Sequence, residues 1–304
     1  DATKHRACAV VGDALEAIKE INANIFGTID GLDGHKKTIE LKGSGIETWS
    51  AEKSWTIKGK SEFSNWNNLL TELQAPTNTT VPSYAQVVGL VNDLAEPEDT
   101  LVTAAGGLPG EVSKGWRVKN PHTFDCEFGF SCMGYEIAAG WGHAIAKNGE
   151  GTPIVMTGDG SYLMMNSDIY STVLTGHKII IIVCDNGGFG VINRLQNAKG
   201  EKSFNNLIKD CRIKEPFSVN FAQHAASMGA LSRHCSGLSD LKDAMLWAKT
   251  TDKTTVISIE TDPHKWLPGD ADWDVGIPEM SERKEVQEAR KIQEEIRTRQ
   301  RIGV

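Results

Sequence analysis

Short apolar runs alternate with amphipathic segments through the second half of the chain. The runs are rich in β-branched residues, which favours buried strands of a parallel sheet. They are residues 100–105, 153–157, 178–184 and 255–260. Helical spacing of apolar residues between them predicts helices at residues 133–146, 163–175 and 219–228. This alternation predicts an α/β fold with a doubly wound parallel sheet, whose ligands bind at the carboxyl ends of the strands.

An amphipathic helix is expected before the first of these strands. Ser83 is a suitable N-cap, and apolar residues then repeat at three- and four-residue steps. They are Tyr84, Val87, Val88, Val91 and Leu94. We expect the glycine-rich residues 106–110 to close the following strand as a turn, and residues 75–82 have the composition of a linker.

The start of the chain gives a separate pattern. Residues 5–13 predict one buried strand, and a helical stripe follows at Ala14, Leu15, Ile18 and Ile21. Because one strand and one helix cannot make a sheet, residues 1–45 are interpreted as the end of a larger central domain. The chain would then be a piece of a longer protein or one half of a split enzyme.

Three further segments complete the predicted organisation. Residues 46–82 are expected to connect the central domain to a second domain at 83–270, and residues 271–304 to form a helical tail. Charges alternate in sign through the tail, which is typical of a solvated helix and argues against a nucleic-acid-binding arm.

Composition and charge exclude some classes of function. The formal net charge is −8, from 40 acidic and 32 basic residues, which argues against a nucleic-acid partner. The longest apolar run, residues 179–184, is too short to span a bilayer, so no membrane association is expected. Six cysteines without a C-x-x-C pair favour a reducing, cytoplasmic location.

Two neighbouring predicted strands each end in a turn that carries side-chain oxygen atoms and is flanked by glycine. The first is Gly158-Asp159-Gly160-Ser161, and the second is Asp185-Asn186-Gly187-Gly188. Asn186 follows Asp159 by 27 positions, about the length of one helical crossover, so both side chains should lie at one edge of the sheet.

Hard oxygen atoms in this pattern suit Mg²⁺, which completes its shell with phosphate oxygens and water. The glycines let the backbone approach a diphosphate. The chain has neither a P-loop nor a dinucleotide-binding G-x-G-x-x-G motif. The alternative is that both segments are ordinary turns whose Asp, Asn and Gly serve the backbone conformation.

The two turns together resemble the signature of the thiamine-diphosphate-dependent enzymes. The resemblance implies a thiamine-diphosphate-binding fold at 83–270, a Rossmann-like central domain before it, and the cofactors thiamine diphosphate and Mg²⁺. It implies that the metal ligands are the side chains of Asp159 and Asn186 and the backbone carbonyl of Gly188. Asp185 departs from the family pattern, which has Asn there.

The same resemblance implies further cofactor contacts. Met133 matches the apolar residue that wedges between the two rings of the cofactor, although it could instead be an ordinary core methionine. The other residues expected beside the cofactor are Ala105, Gly106, Gly107, Gly158, Gly160, Ser161 and Phe189.

Three blocks of sequence make the resemblance more specific within the family. They are residues 104–111, 127–137 and 158–166. They resemble the ring-opening carbon–carbon bond hydrolases of myo-inositol catabolism, which implies cleavage of a cyclic trihydroxy-dione to 5-deoxy-glucuronate. Acetolactate-synthase-like or 2-oxo acid decarboxylase chemistry is one alternative. An inactive cofactor-binding module is another.

The resemblance places no catalytic residue in this chain. The activating glutamate is expected on a pyrimidine-binding domain, in another chain or in a missing N-terminal part, so the chain alone should be inactive. A homo-oligomer and a small-molecule substrate are expected. Weaker candidates for pocket residues are His122, His143, Asp125, Glu127, Asn193 and Gln196. The histidines could instead be structural or surface residues and the two acids solvated charges, and His177 is expected in a loop.

Overall fold

A computed structural model describes residues 11–26, 52–77, 81–215, 217–269 and 275–299. The predicted strand at residues 5–13 lies largely outside these ranges. The helix predicted from Ala14 onward is confirmed as Ala14–Phe26.

The core is a single six-stranded sheet in which every pairing is parallel. In chain order the strands are β1 Thr100–Thr103, β2 Phe124–Cys126, β3 Pro153–Gly158, β4 Ile180–Asp185, β5 Leu231–Cys235 and β6 Thr255–Glu260. Their order across the sheet is β2-β1-β3-β4-β6-β5. The register pairs Gly158 with Cys184 and Asp185 with Glu260, so β3, β4 and β6 end at the same edge.

Eleven α-helices are present in the described part of the chain. They are α1 Ala14–Phe26, α2 Lys53–Gln74, α3 Tyr84–Leu94, α4 Gly107–Gly115, α5 Tyr135–Lys147, α6 Asp159–Met164, α7 Asp168–Thr175, α8 Gly190–Ala198, α9 Phe221–Ser227, α10 Leu238–Thr250 and α11 Lys284–Arg299. A short 3₁₀-helix spans Ile208–Asp210. None of these helices is long and apolar enough to cross a membrane.

Helices cover both faces of the sheet, as the sequence predicted. Alternate residues of each strand point to opposite faces, so Ile180 and Ile182 pack in one apolar cluster and Ile181 and Val183 in another. The first cluster includes residues of α3, α4 and α10, and the second includes residues of α5, α6, α7 and α9. The doubly wound α/β fold is therefore confirmed.

The connections follow one handedness. The steps from β1 to β2 and from β5 to β6 move one way along the sheet and use α4 and α10, on one face. The steps from β2 to β3 and from β3 to β4 move the other way and use α5 to α7, on the opposite face. The chain therefore leaves β1 and its neighbour β3 toward opposite faces, which opens a crevice at their carboxyl ends.

The predicted helix after Ser83 is confirmed in detail. The Ser83 hydroxyl accepts a hydrogen bond from the Gln86 backbone N–H, and the Gln86 side chain accepts one from the Ser83 backbone N–H. This reciprocal capping box satisfies two amide groups that the first helical turn leaves without partners. It fixes the start of α3, and with it the position of Tyr84.

Several predicted boundaries were wrong. Residues 106–110 do not form a closing turn, because α4 begins at Gly107 despite its glycines and Pro109. The helix predicted at 163–175 is two helices, α6 and α7, separated at Met165–Ser167. Strands β2 and β5 and helices α8 and α10 were missed.

Contacts divide the chain into two compact units. One unit spans Trp66–Gln293 and contains the whole sheet. The other contains α1 and the first part of α2 among its described residues, together with residues 294–299. The sequence-based division at residues 45, 82 and 270 stays a prediction.

Candidate functional site

The turn after β3 is tightly packed around Gly160. Asp159 begins α6 and is only 6% exposed. A Cβ on Gly160 would lie 2.8 Å from Cε1 of the Phe189 ring and 3.4 Å from Cε of Met133. A side chain at this position would displace the Phe189 ring, and the structure brings Met133, Gly160 and Phe189 together.

The turn after β4 is joined directly to Asp159. The Gly188 backbone N–H donates to Asp159 Oδ2 at 2.6 Å, and the Gly187 N–H donates to Asp185 Oδ1 at 2.9 Å. Gly188 has φ of 136°, and a Cβ there would lie 2.3 Å from the Asn206 carbonyl oxygen. The prediction that the two turns meet at one sheet edge is confirmed.

Asn186 has one satisfied and one unsatisfied polar atom. Its Nδ2 donates to the Tyr84 hydroxyl at 2.7 Å. Its Oδ1 is buried and has no hydrogen-bond partner among the described residues. A buried oxygen without a partner is costly, so it suits a site that a ligand completes.

The charges around Asp159 also suit a cation. Burial raises the pKa of Asp159, and the neighbouring Asp185 carboxylate raises it further, while hydrogen bonds from the backbone N–H of Gly160 and Gly188 lower it. A cation beside the two neighbouring carboxylates would offset the repulsion between their charges.

The candidate metal ligands are not a cluster of His, Cys, Asp and Glu. No group of three such side chains that could hold a metal occurs in the described ranges. The predicted set instead uses the Asp159 carboxylate, the Asn186 amide oxygen and the Gly188 carbonyl. That carbonyl accepts a hydrogen bond from the Gly190 N–H at 3.1 Å and has a second lone pair. This donor set fits Mg²⁺, which accepts few protein oxygens.

A third segment of the site follows β1. Ala105 is buried, and Gly106 has φ of 98°, which favours glycine. A Cβ on Gly107 would lie 2.4 Å from Cζ3 of Trp266 and 3.2 Å from Cβ of Val191. These glycines therefore let the start of α4 pack under the Trp266 ring, at the crevice between β1 and β3.

Glu136 joins these segments and was not among the residues expected at the site. The Glu136 carboxylate accepts hydrogen bonds from the Ser161 hydroxyl at 2.7 Å and from the Gly134 N–H at 2.9 Å. The Ala105 N–H lies 3.5 Å from the same carboxylate. Burial raises the pKa of Glu136, and these hydrogen bonds lower it. A carboxylate among the small and apolar residues of α5 was the available signal.

Tyr84 was also missed as a site residue. Its ring packs edge-on against Trp266, with centroids 5.6 Å apart, and its hydroxyl binds Asn186. Its position on the apolar stripe of α3 indicated a core residue, which its burial confirms. Nothing in the local sequence indicated that its hydroxyl would reach Asn186.

The weaker candidates take other positions. His143 and Tyr135 both bind Asp125 Oδ2 at 2.9 Å, beside edge strand β2. Glu127 accepts hydrogen bonds from the backbone of Phe130 and Cys132 and so braces the loop before Met133. The remaining candidates make contacts of their own or lie in turns. His122 has a positive φ, His177 binds Thr175, Gln196 binds Asn206, and Asn193 is buried with Oδ1 unpartnered among the described residues.

Comparison with known proteins agrees with this geometry. Residues 104–259 match the family described as "Thiamine pyrophosphate enzyme, C-terminal TPP binding domain". The chain is similar to two relatives named 3D-(3,5/4)-trihydroxycyclohexane-1,2-dione hydrolase. The one from Clostridium botulinum is 30% identical over 97% of this chain and 47% of its own length. The one from Bacillus thuringiensis is 35% identical over 91% of this chain and 46% of its own length. The chain thus spans about half the length of these relatives.

Solved structures agree on the fold. A thiamine diphosphate-dependent 4-hydroxybenzoylformate decarboxylase from Rhodococcus jostii RHA1 superposes with a TM-score of 0.55 at 18% identity, over 62% of this chain and 34% of its own. Benzoylformate decarboxylase from Polynucleobacter necessarius gives 0.53 at 21% identity, over 60% of this chain and 34% of its own. At these identities the likeness concerns the fold. The chain belongs to the thiamine pyrophosphate enzyme family and carries its C-terminal cofactor-binding domain.

Proposed function

We propose that this chain supplies the Mg²⁺ and diphosphate half-site of a thiamine-diphosphate-dependent carbon–carbon bond hydrolase. The observation that carries the proposal is the junction of the two turns, where Gly188 N–H binds Asp159 and the buried Asn186 Oδ1 has no partner in the described chain. That arrangement leaves hard oxygen atoms available at one edge of the sheet.

The contacts around the two turns support the proposed residue roles. Asp159, Asn186 and the Gly188 carbonyl hold the metal, and Asp185 adds negative charge beside it. Gly106, Gly107, Gly158 and Gly160 let the backbone come close to the diphosphate. The Ser161 hydroxyl is engaged with Glu136 and Gly134, so its backbone N–H is the group that remains for an anion.

Met133 and Phe189 form the apolar side of this half-site. Both approach Gly160, and the Phe189 side chain is 40% exposed. An exposed aromatic ring beside a flexible thioether provides a surface against which a flat heterocycle can pack. We assign Met133 to the bend of the cofactor and Phe189 to the region beside its diphosphate.

The substrate proposed is 3D-(3,5/4)-trihydroxycyclohexane-1,2-dione, opened to 5-deoxy-glucuronate. The support is the shared name of the relatives that cover nearly all of this chain. When bound, thiamine diphosphate supplies a nucleophilic carbon and an electron sink for breaking the bond between two adjoining carbonyl carbons. The chain's own residues bind the cofactor, orient it and exclude water from its diphosphate.

The complete site is proposed to need a partner. The activating glutamate would come from a pyrimidine-binding domain in another chain or in a further part of the protein, and the assembly would be a homo-oligomer. This is consistent with the chain spanning about half the length of its relatives. A cytoplasmic location is proposed, and the five free cysteines among the described residues support it.

A product assay tests the proposed function. The assembled protein is incubated with Mg²⁺, thiamine diphosphate and the cyclic dione, and 5-deoxy-glucuronate is followed by chromatography. We expect ring opening that stops when a chelator removes Mg²⁺, and that Asp159→Ala lacks. Release of CO₂ from benzoylformate or pyruvate without ring opening would assign decarboxylase or synthase chemistry instead. Cofactor binding without any turnover would indicate an inactive binding module.

A further inference from the structure

Glu136 makes contacts with three separate segments of the candidate site. It is the second residue of α5, and 1% of it is exposed. Its Oε1 accepts from the Ser161 hydroxyl at 2.7 Å and lies 3.5 Å from the Ala105 N–H. Its Oε2 accepts from the Gly134 N–H at 2.9 Å. Those partners belong to α6, to the loop after β1 and to the turn before α5.

Helix capping explains only one of these contacts. A glutamate in the first turn commonly binds amide groups at the start of its own helix, as Glu136 does with Gly134. Ser161 and Ala105 come from other elements, and capping does not require them. The carboxylate is therefore a junction between α5, α6 and the end of β1.

The junction also fixes the side chain of Ser161. Its hydroxyl donates to Glu136 and accepts from the Gly134 N–H at 2.9 Å, so its hydrogen is committed. Gly134, with φ of 96°, turns the chain directly after Met133. Moving this junction would therefore move Met133 relative to Gly160 and Ser161.

A carboxylate would repel the diphosphate that is proposed to bind nearby. The presence of the Glu136 carboxyl group therefore requires a reason other than binding that anion. A carboxylate without partners in such a place would be strongly unfavourable, and its hydrogen bonds offset that cost. The two carboxyl oxygens of Glu136 face donors on three separate segments, which favours a role in joining them.

We propose that Glu136 is a positioning residue that holds the Met133–Gly134 turn, Ala105 and Ser161 in their mutual arrangement. The identity of the bound ligand rests on the proposed function, whereas the holding of the three segments does not. The expected consequence is that cofactor affinity depends on Glu136 although it need not touch the cofactor.

The test compares Glu136→Gln with a matched control, Asp99→Asn. Gln keeps the shape but replaces one acceptor oxygen with a donor. Asp99 is also buried and accepts two backbone N–H groups at 2.8 Å, from Glu96 and Thr152, but it lies at the amino end of β1. Both variants lose one charge and part of a buried hydrogen-bond set, at opposite edges of the sheet.

Two readouts are measured for each variant. Hydrogen–deuterium exchange in the protein without cofactor reports on residues 104–107, 132–135 and 159–162. Thiamine diphosphate affinity at saturating Mg²⁺ is measured by tryptophan fluorescence. We expect Glu136→Gln to speed exchange in all three segments and to weaken affinity about tenfold, the size expected for charge-assisted hydrogen bonds. Asp99→Asn should leave both readouts at these segments unchanged.

The outcomes separate this proposal from the proposed function. Faster exchange at residues 132–135 alone would reduce Glu136 to a helix cap and overturn the positioning role. Wild-type affinity in Glu136→Gln would overturn it as well. If the wild-type protein binds no thiamine diphosphate, the proposed function fails, and the exchange pattern still decides whether Glu136 holds the three segments.

Discussion

At the scale of single residues, the orientation of one amide group bears on the proposed metal site. The Asn186 Nδ2 donates to the Tyr84 hydroxyl, and the buried Oδ1 has no partner among the described residues. In this orientation Oδ1 is the amide atom available to a cation. Partners that orient a ligand in this way commonly affect metal affinity strongly.

Removing the Tyr84 hydroxyl should weaken Mg²⁺ binding. Tyr84→Phe keeps the ring against Trp266 but leaves the buried Asn186 Nδ2 without its acceptor, so the amide can rotate. We expect Mg²⁺ affinity at saturating thiamine diphosphate to fall about tenfold. Isothermal titration of Mg²⁺ measures the change.

Tyr162→Phe is the control for that variant. Tyr162 is also fully buried, and its hydroxyl pairs with His224 Nδ1 at 3.0 Å, on the α9 side of the sheet. It should lose similar stability while keeping its Mg²⁺ affinity. Equal Mg²⁺ affinity in Tyr84→Phe and wild type would show that Asn186 does not depend on Tyr84 for its orientation.

The meeting of the two turns could be predicted from the sequence, whereas the metal-ligand roles of their residues stay a prediction. Asp159 and Asn186 could be found because each directly follows a strand with an unmistakable apolar pattern, and parallel strands end at one edge. Glu136 and Tyr84 could not be assigned roles. Their hydrogen bonds join positions that are far apart in the sequence, so no local pattern reveals them. The pattern from Ser83 to Leu94 predicts an amphipathic helix and nothing more.

At the scale of elements, α5 shows how glycine placement fits a helix to the sheet. Gly140 is buried, and a Cβ there would lie 2.4 Å from Cγ2 of Val155 on β3. Gly142 is exposed two residues later, with nothing within 4 Å of such a Cβ. The first glycine serves close packing, whereas the second costs helix stability without a packing benefit.

Alanine at these two positions should change stability in opposite directions. Gly140→Ala should lower the free energy of unfolding by about 1–3 kcal/mol, because the added methyl overpacks Val155. Gly142→Ala should raise it by about 0.5–1 kcal/mol through helix propensity. Denaturant unfolding of both variants measures this, and two changes of the same sign would contradict the packing described for α5.

The elements that sequence missed lack the signals that revealed the others. β2 has three half-buried residues, and edge strand β5 exposes Arg233 and His234, so neither shows an apolar run. α4 begins with Gly107 and contains Pro109 in its first turn, which looks like a turn by composition. The buried strands β3, β4 and β6 were found because their residues face helices on both sides.

At the scale of the sheet-containing unit, segments far apart in sequence close around one crevice. Asp262 N–H binds the Pro82 carbonyl at 2.9 Å, and the Leu267 N–H binds buried Glu111 on α4 at 2.7 Å. These bonds bring the chain after β6 back to the start of α3 and to α4. Trp266 thereby lies against Gly107 at the start of α4 and against the Tyr84 ring.

Because this chain is proposed to supply only the metal and diphosphate half of the site, cofactor binding and turnover should be separable. We expect the chain alone to bind Mg²⁺ and thiamine diphosphate but to open no ring of the cyclic dione. Adding a separate polypeptide that corresponds to the part of its relatives that the chain does not span should restore ring opening. Cofactor binding is measured by titration, and product by chromatography.

Asp159→Ala, mixed with the same polypeptide, serves as control and should remain inactive, because the metal loses a carboxylate ligand. Ring opening by the chain alone, at the rate of the mixture, would place the activating acid within these 304 residues.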